Sequence, residues 1–329
     1  MTICYTAIKP SGDITLGNYF GTIRSWQELS QKYQCLFCVA DLHALTVHQD
    51  PAAFNRRILS FMAFYYACGL NPDTTTLYLQ SQVPEHAELQ WLLTNLTHMG
   101  ELGRMTQYKD KSQGLKEQAI SAGLFNYPVL MAADIALYKT NVVPVGEDQK
   151  QHIELCRELV NRLNHRFKLD WPVPEPMIST GFGRLMGLQT PEKKMSKSEG
   201  GENNVIFFTD DLQRIRKKIM RAVTDSGSTI EFDPTARPGV SNLVNLYALL
   251  NQQTTEQVCQ EYVGQGYGAF KKALAELVIE TVAPIQEKMH QYLQDPAQLM
   301  KFCQIGQEKA RAVAAKNLDE IKSSMGLVI

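Results

Sequence analysis

An α/β protein, with a Rossmann-like parallel sheet covered by helices on both faces and a C-terminal all-α domain, is the fold class that this sequence predicts. Three observations carry the prediction. Short β-prone apolar runs alternate with helix-period segments through the first half of the chain; helical crossovers of that kind make neighbouring strands parallel and bury both faces of the sheet. From Asp210 onwards helical periodicity is almost the only pattern. Between the two halves, residues 188–204 follow neither period and include Lys193-Lys194-Met195-Ser196-Lys197-Ser198-Glu199-Gly200-Gly201.

The first strand is expected at residues 3–8, stopped by Lys9-Pro10-Ser11-Gly12. After Gly17-Asn18, the apolar residues Tyr19, Phe20, Ile23, Trp26 and Leu29 recur at helical spacing. A second strand is predicted at 36–40. Asp50-Pro51 then supplies an N-cap with proline at the first helical position, and the helix over 54–68 stops at Gly69. Residues 75–80 form a third strand, 84–96 a helix, 124–138 a helix despite Pro128, 141–145 a fourth strand and 147–167 a long helix. The second half reads as helices over 212–223, 240–250, 255–263, 269–293 and 296–325. Ligands of such sheets bind beyond the carboxyl ends of the strands, which directs attention to residues 9–18, 41–43, 80–82 and 146–149.

Composition excludes several classes. The chain has 329 residues, 44% hydrophobic and 20% charged, with net charge −1, so nucleic-acid binding through a strong overall positive charge is not expected, although local basic patches remain open. Seven cysteines are scattered; Cys35 and Cys38 are spaced as C-x-x-C inside a predicted strand, without a second pair to complete a zinc site. No leader segment is apparent and no apolar run approaches the ~18 residues of a membrane span. A cytoplasmic protein with reduced thiols and no membrane association is expected.

Several local groups carry chemical meaning. Pro10-Ser11-Gly12 through Gly17-Asn18 sits between a strand and a helix, where glycine admits a ligand to the backbone and helix N–H groups favour phosphate; an ordinary connecting loop has the same composition. No G-x-x-x-x-G-K-[ST] is present, which excludes a P-loop kinase or GTPase. Gly146-Glu147-Asp148-Gln149 follows the fourth strand, and its carboxylates either cap the next helix or accept from ribose hydroxyls. Asp134 lies in an apolar helical run, which costs several kcal/mol unless the carboxylate is exposed, paired with a cation or met by a ligand donor. His43 at a strand end is either structural or functional. Two lysines flanking serines in 194–198 are either a solvated loop or a polyphosphate clamp.

Taken together, these motifs resemble the tryptophanyl-tRNA synthetases, a family of class I aminoacyl-tRNA synthetases. Lys194 to Ser198 matches the Lys-Met-Ser-Lys-Ser signature, and Pro10-Ser11-Gly12 with Thr15-Leu16-Gly17-Asn18 resembles the family variant of the His-Ile-Gly-His motif. Tyr127-Pro128, Met131-Ala132-Ala133-Asp134, the block from Val143 to His152, Ala222-Val223-Thr224-Asp225-Ser226 and Pro238-Gly239-Val240-Ser241-Asn242 match in order along essentially the whole chain. The resemblance implies ATP-dependent activation of L-tryptophan and transfer to tRNA(Trp). By position it implies Lys194, Ser196, Lys197, Thr15 and Asn18 in the chemistry. ATP would be bound by Lys9, Pro10, Ser11, Gly17, Asn18, Gly146, Glu147, Asp148, Leu185, Lys194, Met195, Ser196, Lys197 and Ser198. Tryptophan would be bound by Asp134 at the indole N–H, by Tyr127 and Gln149 at the ammonium, and by Tyr5, His43, Met131, Val143 and Val145. Lys9, Tyr5, Leu42 and Glu199-Gly200-Gly201 depart from the usual family pattern.

The same resemblance implies ATP with Mg2+, no zinc or iron–sulfur cluster and no resident metal, a homodimer, and four regions. These are a Rossmann-like catalytic domain at 1–187, a mobile loop at 188–204, a helical anticodon-binding domain at 205–295 and a C-terminal helix at 296–329 returning to the catalytic domain. A tyrosyl enzyme and a catalytically weak RNA-binding paralogue are the competing readings. Arg214, Arg216, Lys217, Lys218 and Arg221 form a basic helical run that suits either RNA phosphate or solvent.

Overall fold

The computed structural model describes residues 2–114, 120–178, 185–195 and 200–329, and of residues 22–25 and 27 the backbone alone. Its contacts divide the chain into two compact units: Met1–Ser11, Gln27–Ser179 and Tyr292–Ile329 form the first, Gly12–Trp26 and Thr180–Gln291 the second.

The first unit is built on five parallel strands, β1 (Ile3–Ile8), β2 (Gln34–Val39), β3 (Thr76–Leu79), β4 (Val142–Val145) and β5 (Glu175–Ile178), in the order β3-β2-β1-β4-β5. Four coincide with the expected apolar runs. The fifth was not foreseen, because it is short, half-buried and contains Pro176; its edge position is where a sheet tolerates a residue that donates no ladder hydrogen bond.

The helices are α1 (Leu16–Asn18), α2 (Arg24–Lys32), α3 (Asp41–Ala44), α4 (Pro51–Ala67), α5 (Glu85–Thr94), α6 (Met99–Gly103), α7 (Thr106–Ser112), α8 (Ala122–Ala136), α9 (Lys150–Phe167), α10 (Leu212–Met220), α11 (Pro238–Asn251), α12 (Thr255–Glu261), α13 (Tyr267–Gln294) and α14 (Pro296–Ser324). The expected start at Glu147 is corrected: Glu147–Gln149 make one tighter turn, and α9 begins at Lys150. Helices α3, α6 and α7 were missed, since four to seven residues are too few to display a period. Asp50 caps α4 as expected, accepting from the Ala53 N–H at 2.8 Å.

Helix α14 lies along the outer strand β3. Its packing face is a stripe of small residues, Gly306, Ala310 and Ala314, all buried. Asn317 donates to the Leu137 carbonyl at 2.8 Å, and Gln307 to the Gln82 carbonyl at 3.0 Å. Covering the edge of β3 in this way removes a surface open to strand pairing.

In the second unit the 12–26 segment is tied to residues 206–208: Leu16 N–H donates to the Ile206 carbonyl and Phe208 N–H to the Ile14 carbonyl, both at 2.9 Å. Helix α10 carries the basic run, and the structure divides it. Lys218 is fully buried, donating to Asp210 at 2.5 Å and to the Val205 carbonyl at 2.8 Å, so it is withdrawn from any phosphate role. Arg216 forms a forked pair with Glu276, and Arg214 pairs with Glu202 at 2.5 Å. Lys217 and Arg221 remain on the exposed face. Among the described residues, no helix is long and apolar enough to cross a membrane.

Candidate functional site

In the first unit, residues 9–11, His43, Gln80 and residues 146–149 follow the carboxyl ends of β1, β2, β3 and β4, while Tyr5, Val143 and Val145 lie within β1 and β4 and the remaining predicted site residues stand on α8. Tyr127, Met131 and Asp134 recur at i, i+4 and i+7 of α8 and therefore share one face. Asp134 is 1% exposed. One carboxylate oxygen, Oδ1, accepts from Gln80 Nε2 at 2.7 Å and from His86 Nδ1 at 2.6 Å; the other, Oδ2, accepts from His43 Nε2 at 2.8 Å. Burial alone would push this carboxyl upward, yet His86 and His43 together hold it below its ordinary value. Of the alternatives the sequence left open, neither exposure nor pairing with a core Arg or Lys is found: two imidazoles and an amide surround the carboxylate. A carboxylate offers about four acceptor positions, so three donors leave Oδ2 one more to fill.

Around this group, Tyr5 is buried and stacks on Tyr138 with ring centroids 5.9 Å apart. Val143 is buried in the same apolar cluster, with Met131 and Val145 packed against it. The rings of His43 and Tyr127 meet edge-on at 6.3 Å, and Tyr127 shares a 2.9 Å hydrogen bond with His152 Nε2. Burial pushes the Tyr127 phenol up to about 12. Glu147 and Asp148 are exposed; Gln149 turns its amide N–H to Asp148 Oδ2 at 2.8 Å. A β-carbon on Gly146 would come within 2.8 Å of Asp148 Oδ1, the end of an exposed side chain that can turn aside. Lys9 does not join the Asp134 cluster: it donates to Thr46 Oγ1 at 3.1 Å, with Pro10 buried and Ser11 exposed beyond it.

Two residues of this cluster were missed from sequence. Lys111, on the unforeseen α7, stands 4.9 Å above the Tyr127 ring. Its desolvation lowers its pKa, opposed by the Asp148 charge, and Lys9 is lowered first by burial and then by Lys111. The two ammonium groups thus share a cationic patch, the kind that attracts phosphate. His86, on α5, is the other.

His152 is pushed down to about 4 by burial, by Lys111 and by His43, against the opposing Asp148 charge. The folded value lies below the unfolded one of 6.5, so the unfolded chain binds the extra proton between the two. Stability contributed by the neutral ring is complete above pH 6.5 and declines as pH falls towards about 4. His152→Gln is expected to abolish a pH-dependent loss on the order of 3 kcal/mol across that window, measured as the change in unfolding midpoint between about pH 7 and about pH 4.5.

The second unit carries the other predicted residues. Thr15 and Asn18 cap one another: Thr15 Oγ1 accepts from the Asn18 N–H at 3.1 Å, and Asn18 Oδ1 accepts from the Thr15 N–H at 2.9 Å. Gly17 lies within that first turn. Leu185 and Met195 are buried and joined by a Met195 N–H to Leu185 carbonyl bond of 3.0 Å; Lys194 next to them is exposed. Asn204 holds this stem by accepting from the Gln189 and Thr190 N–H groups at 2.8 and 3.1 Å, and Asn242 bonds Met186 on both its N–H and carbonyl. A β-carbon on Gly187 would come within 2.3 Å of Asn204 Oδ1. Ser196, Lys197 and Ser198 lie outside the described residues. Among the described residues, no group of three or more His, Cys, Asp or Glu is placed to hold a metal ion.

A parallel sheet in the order 3-2-1-4-5, together with the Lys-Met-Ser-Lys-Ser sequence downstream of it, points to the class I aminoacyl-tRNA synthetases. The family model for class I tRNA synthetases (W and Y) matches residues 1–283. A tryptophan–tRNA ligase of Caldanaerobacter subterraneus subsp. tengcongensis is 47% identical over 325 residues, covering 99% of this chain and 98% of that protein. The crystal structure of tryptophanyl-tRNA synthetase from Mycoplasma pneumoniae superposes with a TM-score of 0.91 at 35% identity, covering 100% and 98% of the two chains. That of the Campylobacter jejuni enzyme, complexed with ADP and tryptophan, gives 0.84 at 33% identity over 99% and 100%. The chain belongs to the tryptophanyl-tRNA synthetase family of the class I enzymes.

Proposed function

We propose that the protein activates L-tryptophan with ATP and transfers it to tRNA(Trp), as a tryptophan–tRNA ligase. The observation that carries this reading is the buried Asp134 carboxylate with one acceptor position open, which suits the N–H of an indole in an otherwise apolar slot. In the first step a tryptophan carboxylate oxygen bonds to the α-phosphorus of ATP, and the bond from that phosphorus to the bridging oxygen breaks, releasing diphosphate. A terminal adenosine hydroxyl of the tRNA then takes the aminoacyl group, and AMP leaves. Both steps depend on positioning and on donors aimed at developing charge.

Each unit carries its own share of the proposed residues. Tyr5, His43, Tyr127, Met131, Asp134, Val143, Val145 and Gln149 hold the amino acid. Lys9, Pro10, Ser11, Gly146, Glu147 and Asp148 in the first unit serve ATP, as do Gly17, Asn18, Leu185, Lys194, Met195, Ser196, Lys197 and Ser198 in the second. Thr15, Asn18, Ser196 and the two lysines are assigned to the chemistry. Magnesium, in this reading, arrives on the triphosphate and supplies charge neutralisation there. The proposal extends to the four regions with the boundaries given above, to a homodimer and to a cytoplasmic location.

Amino-acid-dependent ATP–diphosphate exchange, run with tryptophan, tyrosine and phenylalanine, tests the reading. Exchange is expected with tryptophan, and its absence would sink the proposal; exchange with tyrosine instead would point to the sibling enzyme. Lys197→Ala is expected to slow tryptophan-dependent exchange by roughly 10²–10³-fold, the size of one lost transition-state contact. An unchanged rate would remove this loop from the chemistry.

A further inference from the structure

His86 sits in the first turn of α5, fully buried, with its two ring nitrogens committed on opposite sides. Nδ1 faces Asp134 Oδ1 at 2.6 Å; Nε2 faces the Tyr138 hydroxyl at 2.9 Å and the Tyr78 hydroxyl at 3.2 Å. An ionised carboxylate can only accept, so Nδ1 carries the hydrogen. Burial pushes both phenols well up, which leaves their hydroxyl hydrogens in place to be donated towards Nε2. The tautomer is thereby set from behind, by groups that no ligand reaches.

His43 differs. Its side chain is 12% exposed and it binds the oxygen that has a position open. His86 is sealed and binds the oxygen that is already doubly occupied.

We propose that His86 is the positioning residue for indole recognition: it holds Asp134 Oδ1 saturated and the carboxylate acceptor-only, so that Oδ2 is presented to an N–H donor. This inference rests on the tryptophan reading above. The other titratable groups facing Asp134 are Tyr5 from β1, Cys38 from β2, Tyr138, and Cys156 from α9, and its negative charge contributes to raising all four. None of them supports the ionised form by charge. The ionised form is supported instead by the hydrogen bonds that His86 and His43 donate, with the Gln80 amide as the third donor.

Two variants separate positioning from packing. His86→Phe keeps a ring and removes the donor, whereas His86→Asn keeps an N–H near the place of Nδ1. For the wild-type protein and His86→Asn, KM for tryptophan in the exchange assay is expected to be flat from about pH 8 to about pH 6. For His86→Phe it is expected to rise about tenfold over that interval as Asp134 takes up a proton. Turnover at saturating tryptophan and KM for ATP should stay within a few-fold, while preference for tryptophan over its N1-methyl analogue shrinks. A flat KM with undiminished preference in His86→Phe would overturn the assignment, and so would a profile in His86→Asn as steep as that of His86→Phe. Should His86→Phe not fold, Tyr78→Phe combined with Tyr138→Phe removes both hydroxyls facing Nε2 at constant shape and is expected to raise KM for tryptophan; an unaltered KM there would equally overturn it. Failure of wild-type protein to exchange with tryptophan at all would refute the tryptophan reading rather than the role of His86.

Discussion

Asp134→Ala is expected to lower kcat/KM for tryptophan by about 10²–10³-fold and to reduce discrimination against tyrosine, with a loss of stability on the order of 3 kcal/mol. Both effects have one origin. The carboxylate is the shared acceptor for Gln80, His86 and His43, and its removal strands three donors, of which Gln80 and His86 are fully buried. Each stranded donor costs about 1–3 kcal/mol, partly relieved by a water in the vacated space. Asp134→Asn separates the two losses. Its carbonyl oxygen still accepts from Gln80 and His86, but its amide N–H₂ now faces the position intended for a donor. Stability should largely return while tryptophan activation stays low. Unaltered discrimination against tyrosine in Asp134→Ala would remove this residue from amino-acid selection.

The second large effect is structural. Gly306→Ala is expected to destabilise the first unit by more than about 3 kcal/mol, enough to deplete soluble, folded protein. A β-carbon at Gly306 would lie 1.8 Å from the Leu77 carbonyl oxygen and 2.7 Å from its carbonyl carbon. Both are backbone atoms of β3, held by pairing with β2, so neither can step aside as a flexible side chain would. Relief requires α14 to move off the sheet, against bonds from Asn317 and Gln307 and the Arg311–Glu85 pair at 2.9 Å. On helix propensity alone the same change would gain up to about 1 kcal/mol. The sign of the measured change in unfolding midpoint therefore tells directly whether α14 and β3 are this close.

These two residues differ in how far they could be read beforehand. Asp134 announced itself, because a carboxylate among Val129, Leu130, Met131, Ile135 and Leu137 needs a physical reason. Gly306 did not; it stands in an ordinary helical stretch, and the carbonyl it meets belongs to a strand 229 positions earlier. His86 was equally silent, being one polar residue in a mixed helix, 48 positions from its partner. Lys218 was legible as part of a basic run but not as a buried cation, since the run shows charge and not which side of α10 meets Asp210. β5 escaped because Pro176 argues against a strand unless its edge position is known.

Local order along the chain was thus enough for the alternation of strands and crossovers, most long helices, the caps and the signature stretch at 194–198, because side-chain period, backbone torsion and capping are properties of neighbouring residues. What surrounds the Asp134 carboxylate, which lysines share a patch beside Tyr127, and why α14 needs a glycine against β3 were settled by the folded chain. Those are contacts between residues tens to hundreds of positions apart, and their energies depend on burial and on the count of donors around one acceptor. No periodicity records either quantity.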